Sequence, residues 1–197
     1  MAMFCSDEDL QSLLATLKTD ETAALARASA LIEGYPEDPR LHFLRGSMLI
    51  GAGRHIEAHG ALSRAVQLAP DFWIARFQLG FFELTSGEPQ RALDTWAPID
   101  SLPDTHYLRQ FVTGLGHLIR DEFAPAIAHL QDGMRANDEN PALNRDMQLL
   151  IDQCAPLMAA ASPATAAAPA PPATAAAEEK ADSATSFILR QFMGKRR

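Results

Sequence analysis

With 197 residues, 47% of them hydrophobic, the chain has room for one packed domain and a tail. A formal net charge of -8 excludes a general affinity for nucleic acid or anionic lipid, and no apolar run approaches the ~20 residues that cross a bilayer. Cys5 and Cys154, the two cysteines, form neither a disulfide framework nor a CxxC pair, which fits a reducing compartment. The four residues ahead of Cys5 leave no space for a lipoprotein signal, so a soluble, cytoplasmic protein is expected.

In chain order, Ser6-Asp-Glu-Asp9 ahead of LQSLLATL reads as an N-capped helix start, and residues 5–38 are expected to form a helical pair. From there the chain repeats itself at an offset of 34. Gly46, Gly80 and Gly114 fall in register, as do Ala58, Ala92 and Ala126, each followed four residues on by Leu62, Trp96 or Leu130. Gly53 and Gly87 match Asp121 in the third copy. A glycine inside a helix costs ~1 kcal/mol relative to alanine, so close helix–helix approach is its expected reason. The second glycine stands where the first helix must stop in a left-handed turn. The alanine lets two helices nest, and the large residue one turn on fills the space between them. Pro70 ends its helix, and Pro141 opens the next. This predicts paired helices over 39–72, 73–106 and 107–140, with 141–154 as a capping helix.

Composition changes after Cys154. Residues 155–182 are nearly all Ala, Pro, Ser and Thr, with prolines at 163, 169, 171 and 172, and read as a disordered linker. In the tail 183–197 a short amphipathic helix is predicted, with Phe187, Ile188, Leu189, Phe192 and Met193 as its apolar residues. The tail holds four basic residues and no acidic one, leaving 13 basic against 25 acidic elsewhere, or -12. This contrast invites docking of the tail within the chain or between subunits of a homodimer; the competing reading is a frayed terminus with a few apolar residues.

The pattern of Gly46, Gly53, Ala58, Leu62, Ala65 and Pro70, with Leu79–Gly80, Gly87, Ala92 and Trp96 after it, resembles the tetratricopeptide repeat family. The chain departs from it at Ile99, Asp104 and Asp138, where a small residue or a proline is expected. The resemblance implies an all-α, right-handed solenoid of antiparallel helix pairs whose concave face holds another polypeptide, with no cofactor. A weaker similarity is to small bacterial chaperones of type III secretion, a pattern that lacks the Ala/Pro linker and basic tail.

Carried over from the family, the groove positions are Arg40, Phe43, Leu44, Ser47 and Ile50 in the first unit. The second unit supplies Ile74, Phe77, Gln78, Phe81 and Leu84, and the third Leu108, Phe111, Val112, Leu115 and Leu118. Leu44, Leu84 and Leu118 are assigned to the core between repeats. Phe43, Phe77, Phe81 and Phe111 are expected to stand open in the groove, although the same core could take them. The family's clamp for acidic C-termini uses Lys and Asn where this chain has Phe43 and Ser47, so the expected client is an apolar peptide or amphipathic helix. The tail itself has that chemistry. A membrane is a poor partner, because one amphipathic segment with four basic residues binds marginally; a scaffold role within a larger assembly is the alternative to an adaptor or chaperone.

Catalytic constellations are missing from the sequence. His55 and His59 have ligand spacing but read as surface histidines with Glu57 between them. Gly51-Ala-Gly53 lacks the Gly-Lys-Ser/Thr of a phosphate loop, and Asn137-Asp-Glu-Asn140 lacks calcium-loop spacing and reads as a turn.

Overall fold

The computed structural model describes residues 4–161, and these contain nine α-helices, one 3-10 turn and no strand. The helices are α1 (Asp7–Leu17), α2 (Glu21–Gly34), α3 (Pro39–Gly51), α4 (His55–Leu68), α5 (Trp73–Thr85), α6 (Pro89–Trp96), α7 (Tyr107–Ile119), α8 (Phe123–Ala136) and α9 (Pro141–Ala161). Residues up to Pro98 form one compact unit and those from Ile99 another. The unit boundary thus falls inside the 73–106 repeat.

In the N-terminal unit the helix starts follow from capping. Ser6 Oγ accepts the Asp9 N–H at 3.1 Å, Asp20 accepts from Ala23 at 2.9 Å, and Asp38 caps α3 with Pro39 at its first position. The predicted stops also hold: Gly53 and Gly87 sit at φ +71° and +86° between α3 and α4 and between α5 and α6. Two helix pairs are built on the in-register glycines. A Cβ at Gly46 would lie 2.7 Å from Leu62 Cγ, and one at Gly80 would lie 2.6 Å from Trp96 Cε2. Both distances are shorter than carbon atoms tolerate, so only glycine admits the facing side chain. Ala58 and Ala92 are fully buried beside these contacts.

The first pair lacks such a glycine and is held by another device. Cys5, Leu13, Ala24, Ala28, Leu41 and Met48 form its core, and Leu44 packs against them as assigned. Fully buried Asp38 accepts the Cys5 N–H at 2.9 Å and the Arg40 guanidinium at 2.8 and 3.0 Å, while Arg40 donates to the Cys5 carbonyl at 2.8 Å. The N-terminal segment is therefore gripped by its main chain. Both cysteines are free and buried.

α6 ends after eight residues at Trp96, and the chain passes through a 3-10 turn at Ala97–Ser101. Pro98 cannot supply the amide an α-helix would need there. Ile99, one of the departures from the repeat, is fully buried.

In the C-terminal unit α7 and α8 form an antiparallel pair: Gly114 lies opposite Leu130 and Gly133 opposite Phe111, so rising positions on one helix meet falling positions on the other. Asp121 takes the left-handed turn at φ +58° where the earlier copies have glycine. The Asn137–Asn140 turn is a network of side-chain amides. Asn137 donates to Asn144 Oδ1 at 2.8 Å and accepts the Asn140 N–H at 3.0 Å, and Asn140 Oδ1 accepts the Leu143 N–H at 3.1 Å. These bonds carry the chain from α8 into α9, which Pro141 opens as expected. α9 runs to Ala161 with Pro156 inside it, so the helix extends past the expected boundary at 154. Alanine is the best helix former, and the alanines around Pro156 favour helix against the lost hydrogen bond and the carbonyl clash that a proline brings. Residues 162–182 of the expected linker and the tail 183–197 lie outside the described residues.

Candidate functional site

The expected binding positions lie on α3 and α5 of the N-terminal unit and on α7 of the C-terminal unit. On α3, Arg40 is committed to the clasp just described, with a further bond to Asp7 Oδ1 at 3.1 Å. Its guanidinium thus bonds the N-terminal segment while the side chain stays 35% exposed. Phe43 is half-buried with its ring 5.2 Å from Phe72, and Ser47 donates to the Phe43 carbonyl at 3.0 Å. Ile50 and Leu44 are also half-buried.

On α5, Ile74 and Gln78 remain half-exposed, whereas Phe77 and Phe81 are 1% and 7% exposed. The Phe77 ring stacks on both Phe81 and Trp96 at 6.0 Å, and the Trp96 indole N–H donates to the Phe77 carbonyl at 3.0 Å. On α7, Leu108, Phe111, Val112, Leu115 and Leu118 are all buried. Gly133 explains Phe111: a Cβ there would lie 2.5 Å from the ring, so the missing side chain makes room for it. Phe77, Phe81 and Phe111 therefore do not stand open as expected. Packing within the helix pairs takes at least one face of Phe77 and Phe111, because Trp96 and Gly133 sit directly opposite them. Leu84 and Leu118 are core residues, as assigned. The apolar tail residues Phe187, Ile188, Leu189, Phe192 and Met193 lie outside the described residues.

Two polar clusters were not anticipated. Glu83 is 4% exposed; its Oε2 accepts the Thr95 hydroxyl at 2.6 Å, and its Oε1 lies 3.1 Å from His59 Nε2 and 3.7 Å from Arg91. His59 is thus tied into an interhelical carboxylate site rather than free on the surface, while His55 is exposed as expected. Glu57 pairs with Arg54 at 2.7 Å and takes no part. In the C-terminal unit His117 and His129 stack with centroids 5.3 Å apart and planes 7° from parallel. A charged residue inside the otherwise apolar run Leu79–Leu84 was the signal for the first cluster. Nothing in the sequence distinguished the second.

Both thiols are held protonated. Burial, and then the Asp38 carboxylate, raise the Cys5 pKa, and burial pushes Cys154 up to about 11. Both shifts favour the protonated thiol. Among the described residues no group of three His, Cys, Asp or Glu side chains is placed to hold a metal ion, and no helix is long and apolar enough to cross a membrane. Compared with known proteins, the chain matches no family model and no curated sequence.

Proposed function

We propose that this is a tetratricopeptide-type protein-interaction module, an adaptor or chaperone that holds an apolar or amphipathic segment and performs no catalysis. The observation that carries the reading is the recurrence of one helix-pair contact, glycine against a large side chain, at Gly46–Leu62, Gly80–Trp96 and Gly114–Leu130. Pairs repeating at 34 residues suit a right-handed solenoid, and such stacks work by presenting a face to a partner. Half-exposed Phe43, Ile74 and Gln78 are the groove positions best placed to meet one. Two free thiols suit a cytoplasmic setting.

The held segment we favour is the tail, whose four basic residues complement a remainder at -12. Covalent tethering gives it an effective concentration on the order of millimolar, so even a weak contact would be occupied until a client displaced it. The same charge contrast favours, as a second reading, a scaffold subunit whose tail reaches an acidic partner. A synthetic 183–197 peptide titrated into the chain truncated after 182 separates them. Saturable binding weakened by Ile74→Asp is expected. No binding by the truncated chain overturns self-occupancy and leaves the scaffold reading.

A further inference from the structure

We propose that His117 and His129 form a proton-sensing latch in the α7–α8 pair, closed while at most one ring is charged and loosened when both are. The hydrogen bonds around the rings place their protons. Gln110 donates through its amide nitrogen to the Asp104 carbonyl at 2.5 Å, which turns its Oε1 toward His129 Nδ1 at 2.8 Å. His129 Nδ1 must therefore donate. His117 Nδ1 lies 2.6 Å from Glu122 Oε2 and 3.1 Å from the Arg120 guanidinium, which can only donate; the shorter contact, to the carboxylate, assigns the proton to Nδ1. Each neutral ring thus carries its proton on Nδ1, and each further proton must enter at Nε2.

The two resulting cations would face one another across 5.3 Å with nearly parallel planes. Their surroundings are unequal. From the turn between the helices, Glu122 offsets His117, and Arg120, bonded to Glu122 at 3.0 Å, adds another positive charge beside it. From α7, His129 receives the neutral Gln110 and the His117 ring. No α9 group makes a hydrogen bond or ion pair with either imidazole among the described residues. Glu122 pairs with His117, whereas His129 is bonded to the neutral Gln110. Burial, followed by the His117 charge, lowers the His129 pKa, in agreement with those surroundings.

The sign follows. A histidine whose folded-state pKa is lowered binds fewer protons folded than unfolded, so its pair loses stability as pH falls below ~6.5 toward the folded value. The total loss is set by that pKa difference, and its slope stays below about tenfold per pH unit in the folding equilibrium.

NMR titration of the histidine ring signals in the full chain, with amide hydrogen exchange of α7 and α8 between pH 8 and 5, tests the latch. Expected are a His129 midpoint that rises in His117→Gln and α7 protection factors that fall below pH ~6.5 in the wild type. In His129→Gln and in His129→Phe, which keeps a stacking ring that cannot titrate, that acid fall should be lost. An unmoved His129 midpoint in His117→Gln, or the same acid fall in both His129 variants, overturns the proposal.

Discussion

At positions 83 and 95 of the α5–α6 pair a buried carboxylate accepts a threonine hydroxyl at 2.6 Å; 34 residues later, at 117 and 129 of α7–α8, two imidazoles stack at 5.3 Å. The earliest copy places Leu49 and Ala61 at these positions, both buried. One location in the helix pair is thus apolar, acidic or aromatic-basic, while the glycine contact beside it persists in all three. Close backbone approach leaves no latitude at the glycine, whereas the neighbouring edge accepts any pair of side chains that satisfy each other. Stability should therefore depend on the glycine contact, and pH response on the edge.

The largest expected effects lie at the large residues facing the glycines. Trp96→Ala should cost about 4 kcal/mol and Leu130→Ala about 3 in urea unfolding, because each leaves a cavity that its pair cannot close. Equal losses would remove the distinction between the indole-filled and leucine-filled contacts. In the first pair, Asp38→Ala should cost about 2–4 kcal/mol by the same measurement, since it removes the acceptor of Arg40 and of the Cys5 amide.

Next come the glycines. Gly80→Ala is expected to cost about 2 kcal/mol, because the rigid Trp96 ring cannot yield to a Cβ 2.6 Å away. Gly114→Ala should cost about 1 kcal/mol or less, its nearest neighbours lying at 3.0 Å and including the adjustable Leu130 side chain. Thermal melts of the two variants give the order directly. Smallest is the turn: Asp121→Gly relieves a left-handed non-glycine residue and should raise stability by about 0.5 kcal/mol, whereas Gly87→Ala should lower it by about 1.

Acid distinguishes the two regions in another way. Burial opposes charge on Asp38, but the Arg40 hydrogen bond and the Cys5 and Arg40 backbone N–H groups outweigh it and lower its pKa. A lowered carboxylate contributes stability that is present above its unfolded value of ~3.9 and lost as pH falls through the folded value. Hydrogen exchange should therefore show the α1–α3 region holding until below pH ~4, after α7 and α8 have begun to loosen below ~6.5. Simultaneous loosening would break the comparison.

Much of this was legible in the sequence. The 34-residue register predicted the helix pairs over 39–140, the left-handed turns at Gly53 and Gly87, and the burial of Leu62, Trp96 and Leu130, and it put Asp121 at the matching place, where it also proves left-handed. The Ser6 cap and the helix start at Pro141 are visible as such. The fate of the phenylalanines was less accessible, because periodicity assigns a residue to a helix face without saying what meets that face. One signal was available: Leu79–Leu84 is apolar except for Glu83, and an apolar stretch that covers more than one helix face is buried on more than one side. The Glu83 and His117 clusters depend on contacts between helices that spacing along one helix does not encode. α9 outran its expected end because alanine content served as evidence for a linker when it equally favours helix.

The Asp38–Arg40 clasp has a consequence for protein engineering. It recognises the N–H and C=O of residue 5, not its side chain, and so asks for a peptide unit rather than a sequence. An end piece that closes a helix pair without a matched glycine, using one aspartate and one arginine two residues apart, is a portable part. Residues 5–40 are thereby a natural donor of such an end piece for artificial helical-hairpin arrays, with the gripped position limited to small apolar residues because the Cys5 side chain is buried in the core of the pair.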